Sequence, residues 1–152
     1  MARAPFQVLV YPYRPASRGS FEYALLSRSD AGWWQGVAGG GEDNETPLDA
    51  AHRETHEETG IRQEAPFIQL DTVVPVPVTE FRDSYLWGEK VYVIPQYYFG
   101  VLAADSLIAI SREHTEYQWL AYKEARNLMK YETDKTALWE LDRKLRRLGP
   151  RD

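Results

Sequence analysis

At 152 residues, with 43 % hydrophobic and 27 % charged side chains, the chain fits one globular domain spanning residues 1–152, able to bury roughly two-thirds of its unfolded surface and too short for a second. The absence of cysteine excludes disulfides and thiolate metal sites and leaves a hydroxyl, a carboxylate or a water as any nucleophile. Eight acids against two bases between Gly41 and Glu64 give −6 in a chain whose total is −5, so the remainder carries +1; with no basic stripe the chain is ill suited to a nucleic acid polymer, and one concentrated acidic segment points to a metal.

Met1 to Pro5 lacks the apolar core of a secretory signal, and no apolar run approaches the roughly 20 residues that span a bilayer. The expectation is therefore a cytoplasmic protein with no membrane partner. Phe6–Tyr11 and Phe21–Leu26 read as strands of a hairpin, separated by the turn-prone run from Pro15 to Ser20. Gly39-Gly40-Gly41 reads as a Gly-rich loop before a helix, whose entry is marked by Thr46 as N-cap, Pro47 at the first helical position and Asp49 in the first turn. Gly60 is its stop signal. Phe67–Val74 and Val91–Leu102 are further strands, with Pro95 implying an edge or a bulge in the second; Pro75–Lys90 between them reads as a long loop. Glu116–Ala121 reads as a short strand, and Thr133–Leu148 as a closing amphipathic helix packed through Leu138, Leu141, Leu145 and Leu148.

The helix after the glycines carries the chemistry. At about 100° per residue, Glu54, Glu57 and Glu58 share one face toward solvent or a ligand, while Leu48, Ala51, Thr55 and Thr59 occupy another suited to packing on a sheet. Two carboxylates about 4 Å apart repel by about 4 kcal/mol at an effective dielectric of about 20, well beyond what an exposed helix pair contributes. A hard divalent cation offsets that repulsion, and Mg²⁺ takes one or two carboxylates together with waters and phosphate oxygens. A glutamate-rich face that is merely solvated is the ordinary alternative for such a string alone.

The context changes that balance. Gly39, five residues, Glu45, seven residues, then Arg53-Glu54-Thr55-His56-Glu57-Glu58-Thr59-Gly60-Ile61 resembles the 23-residue Nudix box, matching eight of its nine defined positions. The departure is Thr55, where that family has an aliphatic residue. The resemblance implies an α/β/α sandwich around a mixed β-sheet and a Mg²⁺-dependent hydrolase of pyrophosphate bonds, Mn²⁺ being a substitute. By motif position it implies Glu54, Glu57 and Glu58 as metal ligands, with Glu54 also a candidate base, Arg53 orienting Glu57, and Glu45 holding Arg53. Backbone carbonyls around Ala38 and Gly39 would complete the coordination.

Two rival patterns fall short. His52 and His56 stand four apart, a zinc-holding spacing, but Arg53 rather than glutamate follows the first histidine, so both read as helix surface or partly packed residues. The triple glycine lacks the Gly-Lys-Ser/Thr ending of a mononucleotide cradle.

Trp33-Trp34-Gln35-Gly36-Val37-Ala38-Gly39 and Glu113-His114-Thr115-Glu116-Tyr117-Gln118-Trp119-Leu120 together resemble the Nudix subgroup acting on dihydroneopterin triphosphate and dATP. That likeness implies a small phosphorylated metabolite, a nucleoside or pterin triphosphate, as partner and Glu113 as a further carboxylate for metal or water. Dinucleoside polyphosphates, nucleotide sugars and a noncatalytic sensing role are the alternatives. Of Trp33 and Trp34, one is expected to pack and the other to stack on a ring; Arg28 closes the second strand where relatives place a phosphate-binding arginine, and Gly39 and Gly40 would approach the phosphates. Tyr85, Trp87 and Lys90 are pocket candidates, whereas Tyr117 and Trp119 read as core. The oligomeric state stays open, a homodimer among the options.

Overall fold

The computed structural model describes residues 3–28, 32–103, 108–110 and 114–148. Its centre is β1 (Arg3–Pro15), followed in chain order by β2 (Phe21–Arg28), β3 (Trp34–Gln35) and β4 (Val37–Glu42), after which α1 (Pro47–Thr59) leads to β5 (Phe67–Pro77), β6 (Val93–Leu102), β7 (His114–Ala121), α2 (Tyr122–Leu128) and α3 (Glu132–Leu148). β1 pairs in parallel with β6 from Gln7 to Tyr13, and antiparallel with β4 over Arg3–Val10 and with β2 over Tyr13–Pro15. β5 closes one side on β6, while β3 and β7 flank β2. The sheet is thus mixed.

Alternation along β1 sends Val8 and Val10 to one face and Leu9, Tyr11 and Tyr13 to the other. The first set packs with Leu26, Phe99 and Val101 under Ala50 and Ala51 of α1. The second packs with Tyr23, Leu25 and Tyr98 under Ala125 of α2 and Leu138, Leu141 and Leu145 of α3. Both faces are covered by helices, which makes the α/β/α sandwich the sequence led us to expect. Among the described residues, no helix is long and apolar enough to cross a membrane.

Several expected elements differ. Gly39–Gly41 is not a loop but the middle of β4, because residues without Cβ let the side chains of Glu54, Arg3 and Phe6 lie directly on the strand. Pro95 sits at a local edge, as expected: it lies opposite Pro75 on β5, one residue before β6 starts to pair with β1 at Gln96, where a missing N–H costs no ladder bond. The expected loop Pro75–Lys90 begins as strand to Pro77 and continues through short 3-10 turns at Val78–Glu80 and Ser84–Trp87. Leu148, assigned to the packed stripe, is 73 % exposed at the helix end. The short helix α2 was not expected.

Candidate active site

The box helix is fixed at both ends. Thr46 Oγ1 accepts from the Asp49 amide at 3.1 Å while Asp49 Oδ2 accepts from the Thr46 amide at 3.0 Å, a reciprocal capping box worth about 1 kcal/mol. At the other end Gly60 takes a left-handed φ of 76° and donates to the His56 carbonyl, a conformation glycine adopts without strain. These stops set the rotation of α1 against β4.

That rotation places Arg53 at the hub. Its guanidinium forks onto Glu45 (Nε to Oε2 2.7 Å, Nη2 to Oε1 2.8 Å), donates to the Gly40 carbonyl at 2.9 Å, and reaches Glu54 Oε1 at 2.9 Å and Glu57 Oε1 at 3.2 Å. Glu45 also accepts from the Glu42 amide at 2.9 Å. Planar bidentate pairing of this kind fixes orientation as well as adding energy. It also holds the Glu45 carboxyl below its ordinary range, chiefly through the Arg53 hydrogen bonds.

The three helix glutamates do not share one environment. Glu57 is 56 % exposed and the Glu54 side chain 14 %, whereas Glu58, expected on the solvent face, is 6 % exposed. Its position, seven residues after Ala51 and three after Thr55, turns it toward the packed side, where Ala51, Thr55 and Thr59 are buried. Leu48, expected on that packed face, is 41 % exposed instead, in the first turn of α1. Thr55 is buried as expected, but its hydroxyl has no hydrogen-bond partner.

Glu54 lies against Gly39, and any Cβ there would overlap its carboxyl. Burial pushes this carboxyl up to about 7; the Arg53 hydrogen bond and charge pull it back, and Glu57 and Glu58 raise it further. Among the described residues, no three acids and histidines converge on one point as a finished cage. The donor set nevertheless fits a hard cation, since a buried carboxylate crowded by two neighbours gains most from a dication, and Mg²⁺ completes its shell with water and phosphate oxygens.

Strand β4 separates two halves of the region. By alternation Gly39 faces Glu54, while Ala38 and Gly40 face the other way: Ala38 lines a cavity of about 430 Å³, and a Cβ on Gly40 would overlap the Arg3 guanidinium. Arg3 was missed in the sequence. It pairs with Gln7, lies 5.1 Å from the Phe81 ring centre and 5.7 Å from Trp87, and its Nε is buried without a partner. Burial lowers its pKa, opposed by the charges of Asp83 and Glu54. An arginine at the first strand's tip carries no local signal, because its neighbours are nearly 40 and 80 positions away.

Trp33 lines the cavity, with the Tyr131 ring at 6.1 Å edge-on and Lys130 Nζ 4.1 Å from its centre; Trp34 packs against the core and forms β3. Trp87 does not line the cavity. It donates Nε1 to the Arg3 carbonyl at 2.8 Å, and Tyr85 and Lys90 do not line it either. Of the strand aromatics, Tyr117 packs against the α1-side core, while Trp119 is only half-buried under the Arg14 guanidinium at 4.3 Å. His52 stacks on Phe67 at 4.1 Å and meets the Gln63 carbonyl, and His56 meets that of Ile61, so both histidines tie α1 to its following loop. Glu113 and the side chain of Arg28 lie outside the described residues. A broader hollow of about 770 Å³ flanks α1, but Glu42, Asp43, Asp49 and Glu64 line it and would repel a polyphosphate.

A NUDIX domain model matches residues 7–141. The chain is 32 % identical over 122 residues to the asymmetrical bis(5'-nucleosyl)-tetraphosphatase of Rattus norvegicus, covering 80 % of this chain and 78 % of that one. Among solved structures, a NUDIX hydrolase of Listeria monocytogenes superposes with a TM-score of 0.85 at 35 % identity, covering 95 % of this chain and 97 % of the other. The E. coli dihydroneopterin triphosphate pyrophosphohydrolase superposes with a TM-score of 0.76 at 25 % identity over 94 % and 98 %. With the box helix, the mixed sheet and these likenesses in agreement, the chain belongs to the Nudix family and is a hydrolase of pyrophosphate bonds.

Proposed function

We propose that this enzyme is a Mg²⁺-dependent pyrophosphohydrolase that cleaves a nucleoside or pterin triphosphate, of the dATP or dihydroneopterin triphosphate type, to a monophosphate and pyrophosphate. The observation that carries this reading is the cavity of about 430 Å³, walled by Trp33 and Tyr131, that abuts β4 on the face opposite the Glu54 carboxyl. Its volume suits one bicyclic ring with its sugar or side chain. The ring would sit there, and the phosphates would cross the glycines of β4 to the carboxylates.

Glu54, Glu57 and Glu58 would hold the cation, helped by Glu113 and the Ala38 carbonyl; bound Mg²⁺, or Mn²⁺ in its place, neutralises phosphate oxygens and lowers the pKa of the attacking water. Glu54 takes the water proton at Oε2, the oxygen beside Gly39, while Oε1 stays on Arg53 Nη1. A new P–O bond forms, the bridging P–O bond breaks, and pyrophosphate departs with the electron pair. Arg53 keeps Glu57 in position, and Glu45 keeps Arg53. Gly40 leaves room for Arg3, whose unpartnered Nε would meet a phosphate oxygen; Arg28 would serve the same end.

The rat relative supports a second reading, hydrolysis of a dinucleoside polyphosphate. Product analysis separates the two: pyrophosphate plus a monophosphate from triphosphates supports the first, and two nucleotide fragments from a diadenosine polyphosphate, with triphosphates untouched, supports the second. Failure to release any phosphorylated product from either class with Mg²⁺ or Mn²⁺ would refute both.

A further inference from the structure

The ring cavity contains a buried acid that the hydrolytic chemistry does not use. Asp134, in the first turn of α3, is 6 % exposed and lines the cavity beside Gln96 and Thr133. Its Oδ1 accepts from the Tyr98 hydroxyl at 2.6 Å, and that hydroxyl accepts from Gln96 Nε2 at 2.7 Å. The Asp134 carbonyl accepts from the fully buried Tyr11 hydroxyl at 2.8 Å. The carboxyl is therefore held by Tyr98 of β6, itself fixed by Gln96, while Tyr11 of β1 anchors the Asp134 backbone. It lies on the cavity side of the sheet, away from Glu54.

An acid in the binding cavity of a polyanion is unfavourable unless it meets a part of the ligand rich in donors. Flat rings differ in what their edges offer. A 2-amino-4-oxo bicycle, whether guanine or pterin, presents a ring N–H beside an exocyclic NH₂, two parallel donors that match the acceptor-only oxygens of a carboxylate. Adenine offers one amino donor beside a ring-nitrogen lone pair, which a carboxylate repels.

We propose that Asp134 reads the ring edge of the substrate and makes this enzyme selective for 2-amino-4-oxo rings over adenine. This inference rests on the reading that the cavity holds the ring of the triphosphate, and it places a pterin or guanine triphosphate ahead of dATP. Asp134 acts on selectivity, with Tyr98 and Gln96 positioning it.

The test uses Asp134→Asn. Tyr98 still donates to the side-chain oxygen, so the carboxamide turns its NH₂ into the cavity, where it opposes the two ring donors and suits the adenine lone pair. Binding of GMP and AMP is measured by calorimetry without metal, and initial rates on dGTP, dATP and dihydroneopterin triphosphate are measured with Mg²⁺. The wild type should prefer GMP over AMP, and the 2-amino-4-oxo triphosphates over dATP, by at least about 10-fold, with the order inverted in the variant. Relative rates on dGTP and the pterin identify which carrier of the edge is preferred. Hydrolysis with an unchanged ratio between the ring classes overturns the inference and leaves the hydrolytic reading standing. An inverted binding ratio with no hydrolysis supports the ring site and removes the hydrolytic reading. Should Asp134→Asn fail to fold, Tyr98→Phe releases the carboxyl and should flatten the GMP/AMP ratio; an unchanged ratio there also overturns the inference.

Discussion

Replacing Glu54 by Gln should stabilise the metal-free protein while abolishing its activity. Its carboxyl is raised from 4.5 to about 7, so the folded protein holds that proton more tightly than the unfolded chain. Stability that is fully present below about pH 4.5 is lost as pH rises to about 7, and it stays lost above. At about 1.4 kcal/mol per decade the loss comes to about 3 kcal/mol, or about 2 kcal/mol after allowing for residual solvent at the carboxyl. Gln removes the buried charge and still accepts from Arg53. Thermal melting in chelator at pH 8 should therefore show the variant higher by about 5–10 °C, with the gap closing toward pH 4.5. Adding Mg²⁺ should raise the wild type and not the variant, because a ligand that binds only the folded state stabilises it. A variant no more stable at pH 8, or a gain of equal size at pH 4.5 and pH 8, would show that Glu54 is not held against its preference for water.

Glu57→Gln and Glu58→Gln should each cut turnover at least about a hundredfold with circular dichroism unchanged; wild-type rates would remove them from the proposed ligand set. Gly39→Ala should lower both turnover and melting temperature, because the new methyl group needs the space of the Glu54 carboxyl; an unperturbed variant would mean the strand gives way there. Thr55→Val should leave turnover within about twofold and raise stability by about 1 kcal/mol, since the hydroxyl it removes is buried without a partner, and a large activity loss would reveal a polar task for Thr55. Arg3→Met should raise KM for triphosphates more than it lowers kcat, as expected for a group that binds phosphate in ground and transition states alike; an unchanged KM would return Arg3 to a packing role.

The helix was legible because all its determinants are local. Thr46, Pro47, Asp49 and Gly60 sit within one turn of the ends they specify, and the spacing from Arg53 to Glu58 places the side chains by geometry alone. What escaped depends on pairing between distant segments. Gly39–Gly41 has the composition of a turn, and only its register against Arg3–Val10 makes it a strand. Glu58 shares a helical face with Glu54 by angle, yet the sheet covers one side of that face and not the other. Arg3 and Asp134 were invisible for the same reason: Arg3 is set against Gly40 of β4, and Asp134 against Tyr11 of β1 and Tyr98 of β6, partners that no window of sequence contains. Trp33 and Trp34 show the limit at its narrowest, since the sequence left open which one packs and only β3 pairing with β2 decided it.

Two buried polar atoms among the described residues lack a protein partner, Arg3 Nε and Thr55 Oγ1, and their positions give them different meanings. An unmet buried donor costs about 1–3 kcal/mol in the free protein, so it persists where something other than stability maintains it. Arg3 Nε lies over Gly40 and within the field of Glu54, where on the proposed reading a phosphate oxygen would satisfy it and recover its cost. Thr55 Oγ1 faces the packed side of α1, where no substrate arrives and its cost is never recovered. Glu54 belongs with Arg3, since the Arg53 ion pair only partly offsets the burial of its carboxyl. Arg3 and Glu54 stand back to back across two glycines of β4, one with an unmet donor and the other with a carboxyl raised by burial, and on the proposed reading a metal-bound triphosphate would answer both at once.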